Sequence, residues 1–329
     1  MVSDLPRDLS EEVLSRIPLT SLRKVRSTCK KWNTLSKTRF LAKKHLRREA
    51  EKAKEEFMAV VMMDYSVYLL GVNLSDKAVQ SCSVKLQGKL TFPTDSDSDQ
   101  IDICNVFHCD GLLLCVSKDQ TRLVRFPRDL EIAPIDWKVD YIHSGVTVNG
   151  NAYWLATEDE SELDEEEYGR TFLVGFDFTR ETFGPRLPLP FQHYPKDAVS
   201  LSPVRGGKLA ALFQPWDSLG VKIWVTSKIE PEAVTWESEV FLSVSLKQSI
   251  HPMFQFTDTG ASFFIDEEKK VAVVFDEAFP PRPDKNSIGN QAYIIGVDGS
   301  LKIVDLGVSD HRGFPPLACS YLPSLIQPN

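Results

Sequence analysis

The stretch Asp4–Phe40, DLPRDLSEEVLSRIPLTSLRKVRSTCKKWNTLSKTRF, decides the fold of the N-terminal part of the chain. Its apolar residues recur three or four positions apart, the spacing of one face of an α-helix. Pro6 suits a helix start, and Pro18 ends that helix because proline lacks an N–H donor. The stretch therefore predicts three short helices. Their apolar residues are Leu9, Val13, Leu14 and Ile17, then Leu22 and Val25, then Cys29, Trp32 and Leu35.

Three short helices within about 40 residues lie near the lower size limit for a self-sufficient core. Part of their apolar surface is therefore expected to contact a partner. The segment resembles an F-box, because Leu5-Pro6, Ile17-Pro18 and Cys29-Lys30-Lys31-Trp32 follow the order and spacing of that family. An ordinary amphipathic helical hairpin is the alternative interpretation.

The F-box resemblance implies both a partner and a set of contact residues. It implies binding to a Skp-type adaptor and, through that adaptor, to the cullin and RING subunits of a ubiquitin ligase. The residues to which the resemblance assigns adaptor binding are Leu5, Pro6, Leu9, Leu14, Ile17, Pro18, Leu22, Val25, Cys29, Lys30 and Trp32.

Charge is divided unevenly along the 329 residues, whose net charge is −8. Residues 1–56 hold 15 basic and 8 acidic residues, a net charge of +7, and the remainder holds 23 and 38, a net charge of −15. The change of sign favours two domains. The acidic second part argues against nucleic acid as its ligand.

Composition indicates a globular protein of the nucleus and/or cytoplasm, with 42% hydrophobic and 26% charged residues. No apolar run approaches the ~18 residues of a membrane span, so no membrane contact is expected. The first residues lack the apolar core of a signal peptide, and the six scattered cysteines are typical of reduced thiols. Lys43–Arg48 is either a nuclear localisation patch or the solvent-facing side of a helix.

The hydrophobic period changes near Phe57. Strong helix formers dominate Glu49–Glu56, EAEKAKEE, whereas Phe57–Met63, FMAVVMM, is strand-like. The predicted organisation is an F-box at residues 1–46, a linker helix at 47–56 and a β-domain at 57–329.

Repeated strand pairs are predicted for the β-domain. Five strands follow a glycine, at intervals of 39, 57, 53 and 39 residues, and each of the first four precedes a second apolar strand. This degenerate period favours a β-propeller, with an irregular pair of β-sandwiches as the alternative. The glycine-led strands are Leu112–Val116, Ala152–Leu155, Leu209–Phe213, Ser262–Ile265 and Leu301–Val304, and the second strands are Leu123–Phe126, Leu173–Phe178, Val221–Val225 and Val271–Phe275.

The same region resembles the plant F-box-associated domain. The resemblance implies a mainly β, kelch-like propeller that recruits a target protein. The motifs that carry it, in chain order, are Cys109–Leu114, Asn149–Trp154, Phe176–Gly184, Leu187–Pro190 and Val221–Trp224.

Motifs for catalysis or nucleotide binding, such as GxSxG, GxGxxG and HExxH, are absent from the sequence. Asp95–Asp99 opens like a calcium loop, but Gln100 and Val106 stand where that loop needs glycine and glutamate. The three cysteines and one histidine within Cys104–Cys115 lack the CxxC spacing of a zinc site. No metal and no cofactor are therefore expected.

An acidic segment, Glu158–Glu167, has eight acidic residues among ten and is either a solubilising loop or an attractor for a basic partner. The sequence predicts a non-catalytic substrate-recognition subunit. The alternatives are a kelch-like enzyme or small-molecule sensor whose F-box controls its turnover, and an F-box scaffold outside ubiquitin ligases. The candidate target-binding residues are Glu158, Asp159, Glu160, Tyr194, Trp216 and Trp236.

Overall fold

Strands dominate the fold, as the sequence predicts. A computed structural model describes residues 6–15, 25, 30–35, 56–75, 78–89, 103–109, 112–117, 137–139, 145–158, 170–180, 182–194, 196–246, 250–257, 261–279, 288–309 and 315–321. In this part of the chain there are two α-helices, one 3-10 helix at Val79–Ser81 and twenty strands.

Both α-helices belong to the N-terminal segment: α1 is Arg7–Ser15 and α2 is Lys30–Leu35. Pro6 precedes α1, and its carbonyl accepts hydrogen bonds from the Ser10 N–H and the Ser10 hydroxyl, both at 2.9 Å. Val25 is also helical, while the rest of the predicted middle helix lies outside the described residues.

The strand β1 overlaps the last residue of the predicted linker helix. It begins at Glu56, so the last residue assigned to the linker helix belongs to a strand, and residues 47–55 lie outside the described part. The strands are β1 Glu56–Met63, β2 Ser66–Asn73, β3 Ser83–Lys89, β4 Ile103–Cys109, β5 Leu112–Ser117, β6 Trp137–Val139, β7 Val146–Val148, β8 Asn151–Glu158, β9 Thr171–Asp177, β10 Thr182–Phe183, β11 Ala198–Val204, β12 Lys208–Gln214, β13 Gly220–Glu230, β14 Ala233–Trp236, β15 Leu242–Ser245, β16 Ser262–Asp266, β17 Val271–Glu277, β18 Ile288–Gly296, β19 Leu301–Ser309 and β20 Leu317–Tyr321.

Four antiparallel sheets of four or five strands form the blades of a propeller. Their orders are β20-β1-β2-β3, β6-β8-β9-β10 with β7 also on β8, β11-β12-β13-β14 with β15 also on β13, and β16-β17-β18-β19. The β4–β5 hairpin occupies a further position in the ring, because the inner strands β20, β4, β7, β11 and β16 contact one another in that order and β16 contacts β20. The predicted β-propeller is confirmed.

Closure of the ring joins the two ends of the β-domain. The first strand, β1, pairs with the last, β20, with Met58 opposite Tyr321. The Ser262 hydroxyl of β16 donates to the Pro316 carbonyl at 2.6 Å and accepts from the Ala318 N–H at 2.7 Å. The final blade is therefore bonded to the blade that contains β1.

Apolar side chains fill the spaces between neighbouring blades. One cluster joins the β1–β3 sheet to the β16–β19 sheet, a second joins the latter to the β11–β15 sheet, and a third joins that one to the β7–β9 strands. Completely buried examples are Val61, Leu70 and Ile294 in the first, Leu212, Ile223 and Tyr293 in the second, and Tyr153, Leu173 and Leu209 in the third.

The glycine-led strands are present, but they do not mark one position in each blade. Ala152–Leu155 and Leu209–Phe213 lie in β8 and β12, each next to an inner strand, whereas Ser262–Ile265 lies in β16, itself an inner strand. Leu301–Val304 lies in β19, the outer strand of the same blade. The last 39-residue interval therefore does not separate two blades, because β16 and β19 belong to the same sheet. A glycine turn can precede a strand at any position within a blade. Leu123–Phe126 lies outside the described residues.

Candidate functional site

Helix α1 divides its apolar residues between an internal and an external face. Leu14 is completely buried, whereas Leu9 is 50% exposed and Val13 is 39% exposed. Leu9 and Val13 are four residues apart, so they are neighbours on one side of the helix. We call Pro6, Leu9 and Val13 the α1 surface; Pro6 is also exposed.

Not every residue assigned to adaptor binding lies on this surface. Leu14 and Trp32 are buried where α1 and α2 meet, so they support the α1 surface from behind. Lys30 is exposed and Val25 is half-buried. The remaining assigned residues lie outside the described part of the chain: Leu5, Ile17, Pro18, Leu22 and Cys29.

In the β-domain, strand direction places several candidate target-binding residues at one end of the propeller. The turns before β8 and β12 lie together, because the Asn149 side-chain amide donates to the Gly207 carbonyl at 3.0 Å. Both strands run away from these turns. Their last residues, Glu158 and Gln214, therefore lie at the same end, which we call the far end.

Tyr194 and Trp216 are joined at the far end by one carboxylate. Asp197, which is 5% exposed, accepts a hydrogen bond from the Tyr194 N–H at 2.8 Å and from the Trp216 N–H at 2.7 Å. The aromatic side chains project outward, with Tyr194 49% exposed and Trp216 53% exposed. The Lys196 ammonium lies 5.1 Å from the centre of the Trp216 ring. The structure therefore brings together two residues that are 22 positions apart.

A third segment, 250–257, is bonded to the same place. The buried Gln214 amide donates to the Phe254 carbonyl at 3.3 Å and accepts from the Phe256 N–H at 2.9 Å. The Gln255 side chain also donates to the Lys196 carbonyl. This segment carries Met253, which is 77% exposed. We call Tyr194, Trp216 and Met253 the aromatic rim.

The two strands that flank the acidic segment, β8 and β9, lie close to the aromatic rim. Glu158 ends β8 and pairs with Arg186, and Thr171 begins β9. The Thr171 hydroxyl and the His193 Nδ1 atom are 2.8 Å apart, and His193 directly precedes Tyr194 in the chain. β8 therefore ends and β9 begins at the far end, while Asp159 and Glu160 lie outside the described residues.

Trp236 is not brought together with the other aromatic candidates. It lies on β14, is half-buried, and its indole N–H donates to the Pro188 carbonyl at 2.9 Å. It packs in the cluster between the β7–β9 strands and the β11–β14 sheet. Its contacts are those of a structural residue.

Behind the 250–257 segment lies a buried carboxyl group. Asp276 accepts hydrogen bonds from the Thr257 N–H at 2.8 Å, from the Thr257 hydroxyl, and from the Glu277 N–H at 2.8 Å. Loss of solvation raises the pKa of Asp276 to about 7, although the hydrogen bonds from Thr257 act in the opposite direction. Asp276 thus links the 250–257 segment to β17.

Sequence reasoning missed the residues that build the aromatic rim. Asp197 and Gln214 each hold segments that are distant in sequence, and neither belongs to a motif. An aspartate before a strand is equally typical of an ordinary turn. Exposure of Met253 could not be predicted, because methionine is more often a core residue.

Among the described residues, no three His, Cys, Asp or Glu side chains are grouped closely enough to hold a metal ion. No helix in the same residues is long and apolar enough to cross a membrane.

Comparison with protein families and individual proteins gives consistent results. Residues 2–44 match the F-box domain, and residues 58–126 and 127–328 match the F-box associated beta propeller domain. Among solved structures, an endo-arabinase from Bacteroides thetaiotaomicron aligns with 79% of this chain and 95% of its own, at 14% identity and a TM-score of 0.26. That similarity is too low to bear on the fold or the function.

Curated relatives cover the whole length of the chain. An F-box protein of Arabidopsis thaliana is 47% identical, with 99% of this chain and 100% of the relative aligned. An F-box/kelch-repeat protein of the same plant is 42% identical, with 99% of each chain aligned. The chain therefore belongs to the plant F-box proteins that carry an F-box-associated β-propeller domain.

Proposed function

We propose that this chain is the substrate-recognition subunit of an SCF-type ubiquitin ligase. In this proposal the F-box binds a Skp-type adaptor, which connects to cullin and RING subunits, and the propeller holds a target protein. The ligase then places a ubiquitin-charged conjugating enzyme beside a target lysine, which leads to proteasomal degradation of the target. The gain in rate comes from proximity, so the chain itself needs no catalytic residue. We place this function in the nucleus and/or cytoplasm.

The α1 surface is the observation that carries the adaptor contact. Leu9 and Val13 are large apolar side chains that a nine-residue helix leaves exposed one turn apart. Contact with a partner would remove their apolar area from water, at roughly 25 cal/mol per Å². Buried Leu14 fixes the orientation of the helix and so determines which side faces outward.

Adaptor binding by the full-length chain tests this proposal. We expect Leu9→Ala combined with Val13→Ala to weaken binding to a purified Skp-type adaptor at least tenfold, because truncating a buried interface anchor commonly costs more than ~1 kcal/mol. The melting temperature should change little, since both side chains are exposed. Leu86→Ala on β3 is the matched control, because Leu86 is 56% exposed and far from the F-box in sequence.

Two further results would complete the test. Leu5→Ala combined with Pro6→Ala, at the start of the motif, should also abolish adaptor binding. A tagged wild-type chain should recover a cullin together with the adaptor. Unchanged adaptor affinity in both double variants would contradict the proposed contact, and recovery of the adaptor without cullin would favour a scaffold outside ubiquitin ligases.

A further inference from the structure

We infer that the contact between Thr257 and Asp276 is a proton-controlled latch. In this inference the end of the 250–257 segment stays closed over Asp276 while that carboxyl group is protonated, and it opens when the group ionises. The segment carries the exposed Met253 of the aromatic rim, so the latch would make the rim depend on pH. The inference concerns the propeller itself and does not depend on the proposed function.

The first support is the position of Thr257 over the carboxyl group. Asp276 on β17 is 2% exposed, and the half-buried Thr257 contacts both of its carboxyl oxygen atoms. The Thr257 N–H donates to Oδ2 at 2.8 Å, and the Thr257 hydroxyl contacts Oδ1. In the described part of the chain, the remaining hydrogen bond comes from the neighbour on β17, the Glu277 N–H, at 2.8 Å. Movement of Thr257 therefore uncovers the carboxyl group and admits water to it.

The second support is that the surroundings of Asp276 favour its neutral form. Its hydrogen-bond partners among the described residues are uncharged donors, with no lysine, arginine or histidine side chain among them. Loss of solvation, together with the like charge of Glu277, raises the pKa of Asp276 to about 7 against the effect of the hydrogen bonds. Burial of a carboxylate without a cation therefore penalises the ionised form in the closed arrangement.

Ionisable groups on the other elements packed here do not offset this penalty. On β18, burial and the charge of the carboxylate raise the pKa of the Tyr293 phenol, which therefore stays neutral near pH 7. In the segment itself the ionisable side chain is His251, whose ring packs edge-on against the Phe279 ring, with ring centres 5.5 Å apart. On β12, the side chain that bonds the segment is the amide of Gln214, which does not titrate.

The closed arrangement also has a place for the proton. A hydroxyl group can either donate or accept a hydrogen bond. When Asp276 is ionised, the Thr257 hydroxyl donates to Oδ1. When Asp276 is protonated, the carboxyl O–H donates to the Thr257 hydroxyl oxygen instead, and both backbone N–H groups keep a carboxyl oxygen as acceptor. The protonated form thus retains its contacts without an unpaired charge in the interior.

Opening at Thr257 is therefore coupled to the release of one proton to solvent. The pKa of Asp276 is about 7 when the latch is closed, and that of an aspartate in water is near 3.9. Between these values the closed state holds a proton that the open state lacks, so the closed state loses stability as the pH rises. The opening equilibrium should increase nearly tenfold per pH unit up to about pH 6.5 and level off above about pH 7.5.

Residue-resolved hydrogen exchange of the full-length chain, measured from pH 5 to pH 8, tests this inference. Each exchange rate is divided by the rate of an unstructured peptide at the same pH, which leaves the opening equilibrium of that amide. The Thr257 amide should open about fiftyfold more at pH 7 than at pH 5. The Phe256 amide is the internal control, because it donates to the Gln214 side-chain oxygen at 2.9 Å, and its opening should change less than about threefold.

Four variants complete the design. Asp276→Asn should abolish the pH dependence at Thr257. Thr257→Val keeps the N–H and the shape but loses the hydroxyl, so the ionised carboxyl group loses a donor and the levelling-off should move to higher pH. Thr257→Ser keeps the hydroxyl and should behave like the wild type. His251→Gln removes the ionisable side chain of the segment and should also behave like the wild type.

Three results would overturn the inference. They are a Thr257 opening equilibrium that does not change with pH, loss of the change in His251→Gln, and equal changes at Thr257 and at the amides of β12, which would show that the whole propeller unfolds. Persistence of the change in Asp276→Asn would overturn it as well. Should Asp276→Asn fail to fold, Thr257→Val decides, and an unchanged pH profile in that variant would contradict the latch.

Discussion

Asp197 accepts a hydrogen bond from the backbone N–H of Trp216 at 2.7 Å, and it is buried while Trp216 is exposed. The charged group is therefore inside and the apolar group outside, which reverses the usual distribution of these residue types. The Asp197 carboxylate fixes the loop between β12 and β13 through this hydrogen bond, and the Trp216 indole ring on that loop is exposed to solvent. The same carboxylate also accepts from the Tyr194 N–H.

Replacing Asp197 by Asn should destabilise the propeller and mobilise the aromatic rim. The amide group retains one acceptor oxygen, so one of the two backbone N–H groups loses its partner, at a cost of about 1–3 kcal/mol. Urea unfolding measures the loss of stability, and hydrogen exchange measures local opening at Tyr194 and Trp216. Asp217→Asn is the matched control, because Asp217 lies in the same loop and is exposed. Equal stability of the two variants would contradict the role given to Asp197.

Asp276 should make stability fall as the pH rises towards neutrality. Its pKa is about 7 in the folded protein and near 3.9 in an unfolded chain, so the folded state binds more protons between these values. The contribution is fully present below about pH 4 and is lost as the pH rises through 7. Asp276→Asn should remove this component, because an amide does not titrate in that range.

Chemical unfolding of the wild type and of Asp276→Asn, measured from pH 5 to pH 8, tests this expectation. The wild-type stability minus that of the variant should decrease as the pH rises. The variant also loses an acceptor for Thr257 or Glu277, which lowers its stability by a similar amount at every pH. A difference that is constant with pH, or that increases with pH, would show that Asp276 stays ionised in the folded protein.

Gly184→Ala should destabilise the protein by several times more than Gly88→Ala. A Cβ atom at Gly184 would overlap the Pro231 carbonyl, which is backbone and cannot rotate away, whereas a Cβ atom at Gly88 meets nothing within 4 Å. We expect a cost of about 1–3 kcal/mol at Gly184, as for overpacked core sites, and less than about 0.5 kcal/mol at Gly88. Thermal unfolding of both variants measures the difference in stability. Similar melting temperatures would contradict the close approach of Gly184, directly after β10, to Pro231 in the β13–β14 turn.

Ser262→Ala should weaken the closure of the propeller ring. The substitution leaves the Pro316 carbonyl and the Ala318 N–H without their serine partner inside the protein, at a cost of about 1–3 kcal/mol. Ser202→Ala is the control, because Ser202 is also buried on an inner strand but its hydroxyl donates over a longer distance, 3.5 Å, to the carbonyl of the next residue, Pro203. Hydrogen exchange should show faster opening of β20 in Ser262→Ala alone, and unchanged exchange would show that β1 pairing closes the ring unaided.

The sequence by itself determined the features that depend on local pattern. Helical spacing of Leu9, Val13 and Leu14 predicts α1, because the period of an α-helix places these residues on neighbouring positions of its surface. Runs of β-branched and aromatic residues predict strands such as β12 and β17, and repetition along the chain predicts a propeller. The glycine spacing did not predict the blade repeat. A tight turn depends on local backbone conformation, whichever strand of the blade follows it.

Only the tertiary structure decided which residues act together. Leu14 and Val13 are adjacent and equally apolar, yet one is buried and the other exposed, because the packing of α1 on α2 selects the inner face. Tyr194, Trp216 and Met253 lie on loops that no sequence period connects. The antiparallel order of β8, β9, β11, β12 and β13 sets which loops share one end of the propeller, and hydrogen bonds over long sequence distances then bring those loops together.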